Sequence, residues 1–295
     1  MSSPPSSVSF EPLQSQELVA GFLATLKDDD LSPKTIRAYR YNLEGFLAWL
    51  HDSVGSVPPT YQDAASYRNH LIEEGRAVSS VNQALAAIRR FLVWGKIAGL
   101  LTTEGKVRAI REIRIQRPAV DARSTRRLLD VLEREASARD KALLICGIGL
   151  GLRISEVCSL RLRDIQFTPR TITVKVLGKG RVSREVQSSG DKVRGWVLDR
   201  VREIEETHGP DRDRQYLIGV KPSFATELVH NWGNQAGIVG LHPHQLRRTY
   251  GQIRRKAGAP IEVVAREMGH SRLDTTAIYT TPEGQEWDVV EEKYL

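Results

Sequence analysis

The chain has few of the features that mark secreted and membrane proteins. It contains only 2 cysteines, Cys146 and Cys158, which are too few for the disulfide framework of a secreted domain. No apolar run approaches the ~20 residues of a membrane-spanning helix, and the N-terminal sequence lacks the regions of a signal peptide. We therefore expect a soluble, cytoplasmic protein with no membrane partner and with both cysteines in the core.

Common cofactor motifs are also missing. The segment GIGLGL (residues 147–152) lacks the third glycine of the dinucleotide fingerprint, and no GxxxxGK[ST] loop occurs. His242 and His244 suggest a metal site, but no matching Cys, Asp or Glu ligands lie near them in the sequence. The sequence therefore predicts no metal and no cofactor.

Basic charge is the first positive indication of a ligand. The 43 Lys and Arg residues exceed the 36 Asp and Glu residues, giving a net charge of +7 over 295 residues. Such an excess attracts polyanions, most often nucleic acid, although a basic but otherwise ordinary enzyme is an equally good interpretation. The length is sufficient for two domains.

Periodicity and composition divide the N-terminal half into three parts. Residues 1–12 are rich in Ser and Pro and are expected to be disordered, residues 13–101 to form an all-helical domain, and residues 102–121 to be a basic linker. Four helices are predicted in this domain: near 14–27, from the Ser32-Pro33 cap to about Leu50, near 60–74, and near 79–98, with Leu85, Ile88, Leu92 and Ile97 inside.

Residues 122–295 are predicted to form a second domain that combines helices with a small antiparallel sheet. Helices are expected over 123–136 and 139–149, from near Arg153, and again from about Lys192 to the C-terminus. Three strands are expected over 163–167, 171–177 and 181–187, and Gly178-Lys179-Gly180 indicates a hairpin between the last two. The fold class is therefore mainly α with a small antiparallel β-sheet in the C-terminal domain.

Two pairs of polar residues have the i,i+3 spacing that places both side chains on one face of a helix. Arg153, in the first turn of a predicted helix, and Glu156 share a face on which the carboxylate can orient the guanidinium. A surface ion pair is the alternative interpretation. His244 and Arg247 have the same spacing. The guanidinium of Arg247 can donate two hydrogen bonds to phosphate oxygens, and the imidazole of His244 can transfer a proton near neutral pH, so this pair suits a phosphodiester.

Four motifs follow one another along the chain: GLRISEV (151–157) with Arg153, LGKGR (177–181) with Lys179, HPHQLRRTY (242–250) with His244 and Arg247, and MGHSRLDTTAIYT (268–280) with His270 and Tyr279. In this order they resemble the catalytic motifs of the tyrosine recombinases, also called the lambda-integrase family, and in particular of their Xer-like two-domain members. The resemblance covers nearly the whole chain. SPKTIRAYRYNLEGFLAWL (32–50) is similar to the family's core-binding domain. The resemblance implies a SAM-like four-helix core-binding domain followed by a tyrosine-recombinase catalytic domain.

The resemblance also implies an activity and a set of catalytic residues. The enzyme would cleave and rejoin DNA through a 3′-phosphotyrosine intermediate and a Holliday junction, as the integrase or resolvase of a mobile element or as an Xer-type enzyme, without ATP or metal. The implied roles are Tyr279 as nucleophile, Lys179 as general acid, and His244 in proton transfer. Arg153, Arg247 and His270 would contact the scissile phosphate, with Glu156 orienting them; His242 is the alternative to His244.

The implied partners are a double-stranded recombination site and other copies of the chain. A homo-tetramer would hold two DNA sites, with an accessory DNA-bending protein as a further partner. The tail, 283–295, would dock on a neighbouring subunit or on its own domain. Candidate DNA contacts are Arg89, Arg90, Arg254, Arg255 and Lys256, although each could be only a solvated charge.

Three other functions stay open. A non-catalytic, sequence-specific DNA-binding protein of the same fold would not need Tyr279. A metal-dependent nuclease or phosphatase would use the histidines and require a divalent cation. A relaxing topoisomerase would need no specific site.

Overall fold

The computed structural model describes residues 12–29, 31–55, 58–101, 104–111, 117–177 and 183–269. The chain divides into two compact units, residues 1–115 and 116–295. The predicted disorder of residues 1–12 falls almost wholly outside the described residues. Lys179, His270, Tyr279 and the tail 283–295 also lie outside them. Within these ranges the chain is mostly helical with one small antiparallel sheet, as predicted.

The first unit packs four helices around an apolar core. They are α1 (Pro12–Asp28), α2 (Pro33–Val54), α3 (Tyr61–Glu73) and α4 (Val78–Ile97). The predicted cap of α2 is confirmed, because the Ser32 side chain accepts a hydrogen bond from the Thr35 amide at 3.1 Å and Pro33 opens the helix. Phe22, Leu43, Phe46, Leu85 and Phe91 are fully enclosed in this core.

The prediction that Ile97 lies inside is wrong, since its side chain is 82% exposed. Leu85, Ile88 and Leu92 are buried as expected. Ile97 comes five residues after Leu92, which places it about 140° around the helix from the buried face. Gly95 takes the buried position instead, where an added Cβ would lie 2.4 Å from Leu101 Cδ1.

Part of the segment interpreted as a linker packs on the first unit. Val107 is buried in that unit's core and Ile110 packs against it. The Asn82 side chain donates to the Ile110 carbonyl at 2.9 Å and accepts from its amide at 2.8 Å. Residues 107–110 therefore extend the helical unit, while the Val120 amide bonds Thr249 Oγ1 within the second unit at 3.0 Å.

The second unit surrounds a three-stranded antiparallel sheet with helices. The strands β1 (Ile165–Phe167), β2 (Ile172–Leu177) and β3 (Ser183–Ser188) pair in the order β1-β2-β3. Ile172, Val174 and Val176 point inward from β2. The helices are α5 (Ala122–Glu135), α6 (Ala138–Gly149), α7 (Ile154–Ser159), α8 (Asp191–His208), α9 (Pro222–Gln235), α10 (Pro243–Lys256) and α11 (Ile261–Met268).

One strand boundary was predicted wrongly. Residues 162–164 form a turn of 3₁₀ helix rather than the start of β1. The Asp164 carboxylate accepts a hydrogen bond from the Arg161 amide at 3.1 Å, which closes this turn. A side-chain bond to a nearby amide competes with strand pairing, so the strand begins only at Ile165.

Both cysteines are free and buried in the second unit, as predicted. Burial raises the pKa of the Cys146 thiol to about 12 and that of Cys158 to about 11. None of the helices in the described ranges combines the length and apolarity needed to cross a membrane.

Gly151 and Gly195 offer a matched test of this packing. Gly151 has φ +61, and an added Cβ would lie 2.4 Å from Tyr250 Cδ1, whereas Gly195 lies inside α8 with nothing within 4 Å. We expect Gly151→Ala to lower the free energy of unfolding by about 2–4 kcal/mol and Gly195→Ala to raise it by roughly 0.5–1 kcal/mol. Urea unfolding followed by circular dichroism measures both, and equal effects would contradict this packing.

Candidate active site

Three arginines from separate elements meet at one buried carboxylate. Glu156 lies in α7, Arg153 immediately before that helix, Arg184 in β3 and Arg247 in α10. Arg153 and Arg184 donate to Glu156, and Arg247 Nη1 lies 3.8 Å from Glu156 Oε2. We call these four residues the arginine cluster.

Both oxygens of Glu156 accept two hydrogen bonds. Oε1 accepts from Arg153 Nη1 at 2.8 Å and from Arg184 Nη1 at 3.0 Å. Oε2 accepts from the Arg153 backbone amide at 2.8 Å and from Arg184 Nη2 at 2.9 Å. The carboxylate is therefore fixed in position by charge-assisted bonds on both sides.

This geometry changes the interpretation of Arg153 and Glu156. Arg153 is the N-cap of α7 and not a residue of its first turn. Glu156, the third residue of that helix, reaches back to the Arg153 amide as in a capping box. Its side chain is only 6% exposed, so the alternative of a surface ion pair is wrong.

The ionisation of Glu156 reflects its partners. Burial alone raises the pKa of the carboxyl group, but hydrogen bonds from Arg184 and from the Arg153 amide, together with the Arg184 charge, outweigh burial. They lower the pKa from 4.5 to about 2. Glu156 is therefore an anion at every physiological pH.

The arginines also bind the last carbonyls of α11. Arg184 Nε donates to the Glu267 carbonyl at 2.7 Å, Arg247 Nη2 to the Met268 carbonyl, and Arg153 Nη2 to the Gly269 carbonyl at 2.9 Å. Carbonyls at a helix C-terminus lack partners within the helix and carry partial negative charge. The cluster thus fixes the end of α11 at Gly269, the residue before His270.

A second contact between α10 and α11 supports this arrangement. Glu267 accepts a hydrogen bond from the Tyr250 hydroxyl at 2.8 Å and bonds from Arg254 at 3.2 and 3.0 Å. Arg247, one turn earlier on the same helix, donates to the Met268 carbonyl at the end of α11. Two turns of α10 therefore hold the C-terminal end of α11.

His244 is an exposed residue of the first turn of α10. Its amide donates to Nδ1 of His242, the N-cap of that helix, at 3.3 Å. Neighbouring groups remove part of the water around the His244 ring, which lowers its pKa, and the positive charges of Arg247, Arg248 and Arg153 lower it further. The neutral ring, which accepts a proton, is therefore the favoured form.

The predicted DNA-contact residues already have partners within the protein. Arg89 donates to the Leu85 carbonyl at 3.1 Å, Arg90 pairs with Asp29, and Arg254 pairs with Glu267. Arg255 donates to the Ala259 carbonyl at 2.8 Å, and Lys256 also has a partner. Contacts of these side chains with DNA therefore stay predictions.

The structure adds Arg184, which the motifs did not single out. In β3 the side chains at 184 and 186 share a face, and Val186 is buried there. A cation on the inward face of a short strand was the signal that could have identified it. Such a residue needs a buried anion, and only the folded chain supplies Glu156.

The arrangement is suited to an anion. Three guanidiniums against one carboxylate leave two positive charges in excess within the cluster. The Arg153 side chain is 32% exposed, and within the described residues two of its guanidinium N–H groups are used. No group of three His, Cys, Asp or Glu side chains that could hold a metal occurs in the described residues.

Comparison with known families gives two matches. Residues 119–286 match the model of the phage integrase family, and residues 19–99 match the N-terminal SAM-like domain of phage integrases. Tyrosine recombinase XerA of Pyrococcus furiosus is 26% identical, with 90% of this chain and 89% of that protein covered. Tyrosine recombinase XerC of Serratia marcescens is 28% identical, with 90% of each chain covered.

Solved structures share the fold. XerH site-specific recombinase bound to its difH substrate superposes with a TM-score of 0.72 at 16% identity, covering 100% of both chains. A lambda integrase tetramer bound to a Holliday junction gives a TM-score of 0.67 at 15% identity, covering 92% of this chain and 79% of that one.

The arginine cluster predicts a pH-dependent contribution to stability. Because the pKa of Glu156 is lowered to about 2, its stabilising effect is present above pH 4.5 and is lost as the pH falls toward 2. At pH 7 we expect Glu156→Gln to lower the free energy of unfolding by about 3–5 kcal/mol, since it leaves buried cations without their anion.

The matched control is Glu203→Gln. Glu203 pairs with Arg200 at 2.8 Å but is about half exposed, so its loss should cost at most about 1 kcal/mol. Urea unfolding between pH 3 and 8 should show the Glu156→Gln deficit shrinking at the acid end. A deficit independent of pH would contradict the ionised state assigned to Glu156.

Proposed function

The chain belongs to the phage integrase family, the tyrosine site-specific recombinases, whose model matches residues 119–286, and we propose that it cleaves and rejoins DNA through Tyr279. The tyrosine oxygen attacks the scissile phosphate, forms a 3′-phosphotyrosine and releases a 5′-hydroxyl. The 5′-hydroxyl of the partner strand then attacks this bond and releases the tyrosine. Two such exchanges form and resolve a Holliday junction.

The observation that carries this proposal is the arginine cluster. Arg153 and Arg247 are far apart in the sequence, yet both contact the buried Glu156 and the last carbonyls of α11. The motif that contains His270 and Tyr279 begins at Met268. The contact of the cluster with the start of this motif supports its assignment to the phosphate that Tyr279 would attack.

The charge of the cluster matches the reaction. A phosphodiester carries one negative charge, and its transition state carries about two, spread over the equatorial oxygens. The two positive charges in excess in the cluster would offset this without a metal ion. Arg153, the more exposed of the pair, would bind one non-bridging oxygen and Arg247 the other, with Glu156 fixing the Arg153 fork.

His244 would accept the proton of Tyr279. A phenol with a pKa of ~10 is a weak nucleophile at neutral pH and needs a base. Partial desolvation, and then the charges of the neighbouring arginines, lower the pKa of His244, so the ring is neutral at pH 7 and can accept a proton. Lys179 would protonate the leaving 5′-oxygen, and His270 would donate a hydrogen bond to the scissile phosphate.

The working assembly would be a homo-tetramer on two double-stranded recombination sites inside the cell. The lambda integrase tetramer on a Holliday junction supports this stoichiometry by its shared fold. Arg89, Arg90, Arg254, Arg255 and Lys256 would contact DNA phosphates after leaving their present partners, and the tail 283–295 would contact a subunit. An accessory DNA-bending protein would be a further partner.

Covalent trapping tests the nucleophile. We would mix the wild type and Tyr279→Phe with nicked suicide duplexes tiled from the DNA flanking the gene, in the presence of a chelator. Denaturing gels should show a protein–DNA adduct with the wild type and none with the variant, whose DNA binding should be unchanged. An adduct with Tyr279→Phe would sink the assignment, and an adduct formed only without chelator would indicate a metal enzyme.

The pH dependence of cleavage tests His244. Its pKa is lowered, so the neutral form is kept at neutral pH and is lost only as the pH falls below the ordinary value of 6.5. The single-turnover cleavage rate should be flat from pH 7 to 8 and should decline only at lower pH. His244→Gln should cleave about 100-fold more slowly and lose this acid limb; a limb that persists in the variant would assign it to another group.

A further inference from the structure

Arg184 is the member of the arginine cluster to which no role in the reaction has been given. It lies on β3 opposite Val176 of β2. Its side chain is 11% exposed, against 32% for Arg153. Three of its nitrogens donate to the protein: Nε to the Glu267 carbonyl, and Nη1 and Nη2 to the two oxygens of Glu156.

Arg184 and Arg153 bind the same carboxylate through the same two oxygens. Arg184 uses both Nη atoms in a planar fork, while Arg153 uses Nη1 and its backbone amide. A fork of this kind fixes the plane of the carboxylate as well as its position. The direction of the Arg153 guanidinium therefore depends on how Arg184 holds Glu156.

Arg184 also forms a hydrogen bond with α11, through its Nε atom. The Glu267 carbonyl, at 2.7 Å from Arg184 Nε, lies two residues before the Gly269 carbonyl that Arg153 binds at 2.9 Å. Arg184 thus joins β3, the start of α7 and the end of α11 through one side chain. An added Cβ at Gly269 would lie 3.0 Å from Arg184 Nη1, so the backbone passes close to the guanidinium.

We propose that Arg184 is a positioning residue for phosphate binding, which sets the orientation of Arg153 through Glu156 and the C-terminal carbonyls of α11. This inference rests on the proposed function, since it assigns Arg153 to the scissile phosphate. We assign Arg184 no contact with DNA, because Nε, Nη1 and Nη2 of its guanidinium all donate to Glu156 or to the Glu267 carbonyl. Its loss slows cleavage and leaves DNA affinity unchanged.

The test compares three variants in single-turnover cleavage and in DNA binding. Arg184→Gln should cleave about 100-fold more slowly, the loss typical of a misplaced group, with an unchanged Kd for the duplex. Arg184→Lys keeps the charge without the fork and should fold, yet still cleave more slowly than the wild type. Arg200→Gln is the matched control: Arg200 is 17% exposed and donates to a carbonyl, Leu217, and to a carboxylate, Glu203. It should cleave within about twofold of the wild type.

Two further measurements separate positioning from general stability. If Arg184 acts through Arg153, the double variant Arg153→Gln/Arg184→Gln should cleave no more slowly than Arg153→Gln alone. On a duplex whose scissile phosphate has a methyl group in place of one non-bridging oxygen, less charge needs stabilisation. The deficits of both single variants should therefore shrink together, while Tyr279→Phe stays inactive.

The outcomes distinguish the two proposals. No adduct with the wild type on any tiled duplex overturns the proposed function and this inference with it. An adduct with the wild type, together with Arg184→Gln or a folded Arg184→Lys that cleaves at the wild-type rate, overturns the inference alone. Multiplying deficits in the double variant would also overturn it, since they would mean that Arg184 acts independently of Arg153.

Discussion

The charge-assisted hydrogen bonds of Glu156 are the interaction on which the rest of the site depends. A buried carboxylate is costly to desolvate, and a buried ion pair rarely adds stability beyond well-packed apolar side chains. Glu156 nevertheless stays ionised, because bonds from Arg153 and Arg184 outweigh burial and lower its pKa to about 2. The buried carboxylate of Glu156 is therefore best explained by its effect on the positions of the arginine side chains that it binds.

Those positions come from elements distant in sequence. Arg184 follows Glu156 by 28 residues, and the Gly269 carbonyl follows Arg153 by 116. Each of the three guanidiniums contacts both Glu156 and a carbonyl at the end of α11. A shift of α7, β3, α10 or α11 would therefore move the others. The arginine cluster and the backbone that leads into the motif of His270 and Tyr279 are therefore positioned together.

Local signals in the sequence predicted most of the elements. The Ser32 cap with Pro33 starts α2 where expected, and the alternating residues of β2 give its inward face. The start of β1 and the burial of Ile97 were predicted wrongly, because a side-chain hydrogen bond and the rotation along a helix were not taken into account. Asp164 closes a 3₁₀ turn that delays β1, and helical rotation places Ile97 on the exposed face beside the buried Gly95.

The family, the mainly helical fold with its small sheet, and the closeness of Arg153 to Glu156 could be predicted from the sequence, because motif order and i,i+3 spacing are read along the chain. The burial of Glu156, its second partner Arg184, and the binding of the last carbonyls of α11 by the three arginines could not, because they depend on long-range packing. Every residue has a backbone carbonyl, so the residue type does not show which carbonyl will accept a hydrogen bond. The anion that pairs with a cation on a strand is likewise known only once the chain has folded.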